Sequence, residues 1–357
     1  MSSVRTAGAL FLVAMIGLCT GSTAMRAQVP TVPKAPATQP FSGILHLNVV
    51  VTSASGEPVT GLTAKDFTVL DHKTPRQPLT VAAMTGTQQP STVIIVFDAV
   101  NTPLIALGYQ RNQVKKFLLA NDGQLAQPTT FAVLTDKSLD VFNTVTRDGN
   151  ILAAGVDHME TGLREINRSQ GFYGADDREQ ISLSALQEIE ATESRRPGDK
   201  LLVWLSPGWP LLSGPGIDLD ARQQDAIFRT AVDVDTRLRE DGITLYSLDS
   251  WGADENLNRE FYYKSFTDGL KNPGGAQLGN LGLQVFAQES GGLVLNSSGV
   301  VQMLQQCYAD AAYHYELTMQ APPAEHANEY HSLRIQVDRP NAQVRSPTGY
   351  YDQPVTP

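Results

Sequence analysis

Residues 91–102 read STVIIVFDAVNT, an apolar, β-branched run that stops abruptly at Asp98 and is followed at once by Asn101 and Thr102. A run of this kind predicts a strand buried on both faces. The polar residues after it then sit where a parallel α/β sheet presents its binding edge. The simplest role for Asp98 there is to hydrogen-bond loop amides at the strand end. A metal-dependent hydrolase would instead gather Asp98 with Asp249 and Asp254. Other enzyme signatures are missing. There is no Gly-x-Ser-x-Gly elbow, and Pro207 removes the N–H that an oxyanion hole beside Ser206 would use. No Gly-x-Gly-x-x-Gly follows the first strand, and the histidines show no pair at i, i+4. Cys307, in the helical pattern Val301, Leu304, Cys307, Tyr308, Ala311, reads as a buried apolar residue rather than a nucleophile. The chain is therefore expected to be non-catalytic. A contact surface is more promising: residues 161–177 mix Arg164 and Arg168 with Phe172 and Tyr173, and Trp209 sits between Gly208 and Pro210. Exposed aromatics beside arginine are typical protein-binding anchors.

Alternating strands and amphipathic helices over residues 90–299 must position these groups. The expected strands are 92–97, 130–134, 139–144, 200–205, 243–248 and 292–295, with helices at 105–120, 151–159, 178–194, 220–240 and 282–289. The second and third strands are joined without a helix, through residues 135–138. This predicts one antiparallel edge on an otherwise parallel six-stranded sheet, a doubly wound Rossmann-like α/β fold. Both flanks are β-rich: strands at 44–52, 62–70 and 79–84 precede this region, and 313–319, 332–337 and 343–350 follow it. Each set is too small for a core of its own. The segments 43–86 and 312–352 are expected to form one discontinuous β-sandwich.

Residues 1–27 carry Arg5, an apolar stretch over 9–18, and small residues leading to Ala24 and Ala27. These are the marks of a cleaved signal peptide, too short to span a bilayer. Leu18 before Cys19 excludes a lipoprotein signal. The mature protein is expected to be exported, periplasmic or extracellular, without membrane insertion. Residues 28–42 hold prolines every few positions and read as an extended linker. Loss of Arg5 and Arg26 takes the net charge from −10 to −12, which argues against nucleic acid as a partner.

The run ending at Asp98, the Ser206-Pro207-Gly208-Trp209-Pro210 turn, the front strand 47–52 with Gly56, Val59-Thr60-Gly61-Leu62 and Asp66-Phe67, and the tail 344–351 resemble von Willebrand factor type A related proteins numerous in Acidobacteria. The resemblance covers residues 44–351. It implies the α/β fold above, an export route, and protein binding or adhesion through a metal-ion-dependent adhesion site in degenerate form. Asp98 stands for the first Asp of the family's Asp-x-Ser-x-Ser, while Val100 replaces a hydroxyl and Pro207 the third-loop carboxylate. Asp98, Asn101, Thr102 and Ser182 are the metal ligands the resemblance leaves. They imply at most weak Mg²⁺ binding, and recognition of a protein ligand through Phe172, Tyr173 and Trp209. A purely structural envelope component is the third reading.

Overall fold

The computed structural model describes residues 43–86, 89–159, 171–210, 218–250 and 262–354. Its front part contains β1 (Ile44–Thr52), β2 (Phe67–Asp71), β3 (Thr74–Arg76) and β4 (Thr80–Thr85). A turn after residue 70, at Asp71-His72-Lys73, is expected from the sequence, but the short strand β3 that follows it at once is not. The hairpin turns through His72 and Lys73, both left-handed at φ 47° and 70°. Such positions ordinarily hold Asn or Gly, and neither is present.

The central region follows as β5 (Thr92–Asp98), α1 (Leu104–Leu118), β6 (Gln124–Leu134), β7 (Leu139–Val141), β8 (Thr146–Asp148), α2 (Gly149–His158) and α3 (Gly171–Glu193). It continues with β9 (Lys200–Leu205), α4 (Ala221–Glu240), β10 (Ile243–Asp249), α5 (Leu283–Glu289), β11 (Val294–Asn296) and α6 (Val300–Ala312). The strands form a mostly parallel sheet in the order β11-β10-β9-β5-β6-β7, with β8 also on β6, so the sheet has seven strands rather than the expected six. The reason lies in the length of β6. Its carboxyl half pairs with β7 and its amino half with β8, both antiparallel, and the expected single edge strand at 139–144 breaks between them. The connection at residues 135–138 is the helix-free one expected, with Thr135 N–H donating to Ser138 C=O at 2.9 Å.

Side-chain alternation on β5 sorts the core. Val93, Ile95 and Phe97 pack with α1, α2 and α6, whereas Ile94 and Val96 face α3, α4 and α5. All seven β5 residues are buried, and each large aliphatic contributes about 1.5–3 kcal/mol. Asp98 falls on the same face as Ile94 and Val96, toward α3. The strand register that buries the apolar residues thus buries the carboxylate too.

The chain ends with β12 (Tyr313–Gln320), β13 (Glu329–Val337), β14 (Gln343–Arg345) and β15 (Gly349–Asp352). They pair with the front strands in two four-stranded sheets, β14-β1-β12-β4 and β15-β13-β2-β3. Leu45, Leu47, Val49, Phe67, Val69, Tyr315, Leu317, Leu333 and Ile335 share the core of these sheets. A buried clamp ties them to the central region. Arg345 on β14 donates to both carboxylate oxygens of Asp310 on α6, at 2.7 and 2.6 Å, and Tyr246 of β10 donates to Asp310 Oδ2 at 2.8 Å. Arg345→Met leaves Asp310 buried without its cation. Urea unfolding should show a loss of about 3 kcal/mol.

A second buried ion pair lies within the β13-containing sheet. His331 is sandwiched between His72 and Tyr350, with ring centroids 4.7 and 4.8 Å away, and its Nδ1 is 3.0 Å from Asp71 Oδ1. The hydrogen bond to Asp71 and its charge raise His331 above its ordinary 6.5. Burial works to raise Asp71, but the hydrogen bond and charge of His331 overcome it and hold Asp71 below 3.8. The His331 contribution is full below 6.5 and is lost as pH climbs through its raised value; that of Asp71 is present above 3.8 and is lost as pH falls through its lowered value. Melting temperatures should therefore fall on the alkaline side of 6.5, and His331→Gln should flatten that fall.

Candidate functional site at the carboxyl edge of the sheet

Asp98 ends β5 at 0 % exposure, with Asn101 at 3 % and Thr102 and Ser182 at 0 %. A carboxylate in such a place needs donors, and three N–H groups supply them. The Asn101 backbone N–H reaches Oδ1 at 2.9 Å, while Oδ2 accepts from the Asn101 side-chain amide at 2.9 Å and from the Trp204 indole at 3.0 Å. The same Asn101 amide donates to Ser182 Oγ at 2.8 Å, an orientation that two acceptors require of it. Ser182 in turn donates to Arg178 C=O at 2.8 Å, and the Thr102 hydroxyl faces Leu205 C=O at 3.4 Å. The structure thus brings all four residues 98, 101, 102 and 182 into one network, with every hydroxyl hydrogen directed at a backbone carbonyl.

Beside the network, α3 buries Arg178 and Glu179. Burial weakens the Arg178 charge while Asp98 and Asp177 favour it, and its Nη1 has no hydrogen-bond partner among the described residues. Both Glu179 carboxyl oxygens are buried without a partner among the described residues. Burial first, and Asp176 second, push that acid well above its ordinary 4.5. Burial thus favours the neutral form of Glu179. Burial, then the charge of Asp177, also raises Asp176.

A Mg²⁺ ion would need the oxygens of Asp98 and Ser182 to face it. Instead the Asn101 N–H group stands between them, the third loop contributes Pro207 and no carboxylate, and Arg178 adds positive charge. The residues present do not suit a cation. Among the described residues no group of three or more His, Cys, Asp or Glu is arranged to hold a metal ion. Asp249 ends β10, two strands from β5, and Asp254 lies outside the described residues.

The expected contact residues differ in exposure. Trp209 is 3 % exposed, edge-on to Trp204 at 5.3 Å and to Phe286 at 6.3 Å. It covers the sheet end and offers no surface to a partner, which corrects its assignment as an anchor. The Ser206-Pro207-Gly208 turn folds it inward through Gly208 at φ 107°, with Pro207 C=O held by Gln284 Nε2 at 3.2 Å. Tyr173 is 80 % exposed, as an anchor would be, though on a helix: residues 171–177 form the first turns of α3 and not a loop. Gly171 and Gly174 hide that helix start from a propensity reading. Phe172 lies in α3, its side chain outside the described part, as are Arg164 and Arg168. Sequence reasoning missed Trp204, Arg178 and Glu179. The first was findable, because an indole N–H in a strand buried on both faces must have an acceptor.

Parallel strands, covering helices and a carboxylate closed at the carboxyl edge define a mixed α/β protein with a mostly parallel seven-stranded sheet and accompanying antiparallel sheets. No protein-family model and no curated protein matches the chain. Similar solved structures include human Sec24c of the COPII coat (8 % identity, TM-score 0.33, covering 76 % of this chain and 46 % of that one). Proximal thread matrix protein 1 of the mussel byssus gives 12 % identity and TM-score 0.35, covering 65 % and 49 %. Manganese-loaded Plasmodium vivax TRAP gives 8 % identity and TM-score 0.34, covering 77 % and 98 %. The chain spans about half the length of the first two. At these scores the likenesses carry no inference about this chain.

Trp204→Phe removes one Asp98 donor and should cost about 1–3 kcal/mol in chemical denaturation. Millimolar Mg²⁺ should leave the melting temperature unchanged; a clear rise would mean that Asn101 turns its oxygen toward an ion.

Proposed function

We propose that this chain is an exported, non-catalytic protein of the von Willebrand factor type A kind that binds a protein ligand through the carboxyl edge of its sheet, without a cation. The closed Asp98 network carries the reading. Both Asp98 oxygens are buried and already accept N–H groups of Asn101 and Trp204, so the carboxylate is engaged within the protein. The strand order with its antiparallel edge supports the type A assignment. Binding energy then has to come from surface burial. The start of α1 supplies Leu104 at 58 % and Ile105 at 82 % exposure, and α3 supplies Tyr173. Tyr173 precedes Ser182 by nine residues on α3, about 13 Å of helix, and so stands beyond the level of Asp98.

Affinity capture from the native envelope fraction tests the proposal. The double change Ile105→Ser and Tyr173→Ala should weaken capture by about 2 kcal/mol or more with the fold unchanged by circular dichroism. Undiminished capture would place the interface elsewhere. Reproducible hydrolase turnover lost in Asp98→Ala would overturn the non-catalytic reading.

A further inference from the structure

Two tyrosines of the sandwich hold it to the central region. Tyr351 of β15 clamps the loop at residues 268–270: its hydroxyl accepts the Leu270 N–H at 3.2 Å and donates to the Leu270 C=O at 3.1 Å. The Tyr330 ring of β13 lies so close to Gly269, at φ 72°, that no Cβ would fit there. The two rings are 5.3 Å apart, and Tyr351 meets Phe228 of α4 edge-on at 6.2 Å. Behind this contact Glu289 of α5 accepts the Gly269 N–H and shares a hydrogen bond with Asp235 of α4. Two carboxyl groups bond to each other only through a proton. Asp235 Oδ1 is buried with no other partner among the described residues, and both acids and Tyr330 line the cavity of about 450 Å³ beside it.

The charges around the pair leave it dependent on that proton. Arg239 of α4 favours the ionised form of Asp235, but it also faces Glu240 and Asp352. Glu190 of α3 and Asp268 add further acid, the first toward Asp235 and the second toward Tyr330. Elsewhere on the cavity wall charges have partners of their own. Lys200 donates to Asp241 C=O at 2.9 Å, Asp199 is held by His314 and Asn48, and Glu316 by His46. Burial raises both Asp235, to about 7, and Glu289; the latter is raised further by the charge of Asp235. Burial first, and the two acids next, also raise Tyr330 and Tyr351, so the phenols stay neutral.

We propose that this contact is a proton-operated switch: a proton held between Asp235 and Glu289 keeps β13 and β15 docked on α4 and the 268–270 loop, and its release to water through the cavity loosens them. Two adjacent carboxylates repel each other and draw water into a contact that the tyrosines otherwise keep dry. The direction follows from linkage. Once opened to water the acids ionise near their ordinary 3.8 and 4.5, whereas in the docked state they keep their protons to higher pH. Their stabilisation is therefore full below those ordinary values and is lost as pH rises through the raised ones, Asp235 first near 7. The His331–Asp71 pair does not interfere between these limits, because His331 loses its contribution only above 6.5 and Asp71 only below 3.8.

Amide hydrogen exchange of the full chain, read by mass spectrometry and corrected for the intrinsic effect of pH, tests the proposal. Between about pH 5 and 6.5 the opening constant of β13 and β15 amides should rise roughly tenfold per pH unit, one proton being released per opening, while amides of β5 stay protected. The double change Asp235→Asn and Glu289→Gln keeps the hydrogen bond with no proton to lose. It should remove most of that slope and raise protection at pH 7 about tenfold or more. Burial raises Asp352 as well, but that acid is present in both proteins and cancels in the comparison. If the double variant lacks native circular dichroism, Asp235→Asn alone decides by the same comparison. Equal slopes in the natural chain and the variant, protection indifferent to pH, or β5 opening in step with β13 and β15 overturns the proposal.

Discussion

The architecture depends on the double pairing of β12. This strand begins at residue 313, immediately after α6 ends at 312, and it is hydrogen-bonded to β1 on one side and β4 on the other. The chain therefore leaves the sandwich at β4 and comes back into it beside the same strand, with the whole α/β region held between. A slip of one residue in β12 would turn Tyr315, Leu317 and Met319 out of their core and break the contacts that α6 makes with the large sheet. Polar links reinforce the junction. His314 and Asn48, on adjacent strands, both hold Asp199 at the entry to β9, at 3.0 and 2.9 Å, and Arg345 grips Asp310 just before β12 starts. Junctions in which each buried charge has its partner fix orientation more firmly than apolar contact alone, because a misfit strands a charge.

The same logic shapes the opposite end of the sheet. Asp98 is spared the cost of burial by three N–H donors, whereas Glu179 nearby has none among the described residues, and burial shifts it toward its neutral form. A third solution appears at the amino edge. There a cavity of about 450 Å³ is lined by Asp235 of α4 and Glu289 of α5. Burial raises both acids, Asp235 to about 7, and a hydrogen bond between them lets one proton serve the pair. Tyr330 and Tyr351 of the sandwich face this pair, so its charge state is felt at the contact between the sandwich and α4.

Much of this was legible in the residues. The apolar run 93–97 marked a central strand, the alternation at the start of 44–52 marked a strand covered on one face, and the helix-free link at 135–138 pointed to an antiparallel neighbour. Boundaries failed where local chemistry was silent. The strand at 74–76 holds Pro75 and is only three residues long, so nothing marks it after the turn at 71–73, and Gly171 and Gly174 mask the beginning of α3. At the site, the types and order of Asp98, Asn101, Thr102 and Ser182 suggested a shared location, but not the direction of their hydrogen bonds. That direction is set by Trp204, which reaches Asp98 only because alternation places residues 96, 98 and 204 on one face. Trp209 misled for a related reason: a bulky ring in a Gly-Trp-Pro turn looks exposed until the turn is seen folding back over the sheet.

Trp204 and Trp209 also give the protein an intrinsic optical probe. They are two of its three tryptophans, both nearly dry, in edge-to-face contact, and one is hydrogen-bonded to an enclosed carboxylate. Indole emission shifts to the blue when water is excluded and is sensitive to a charge held close to the ring. Any event that loosens this edge of the sheet, whether strain from a bound partner or the first step of unfolding, will admit solvent to both rings together. Steady-state fluorescence will then register the condition of this region without an added chromophore.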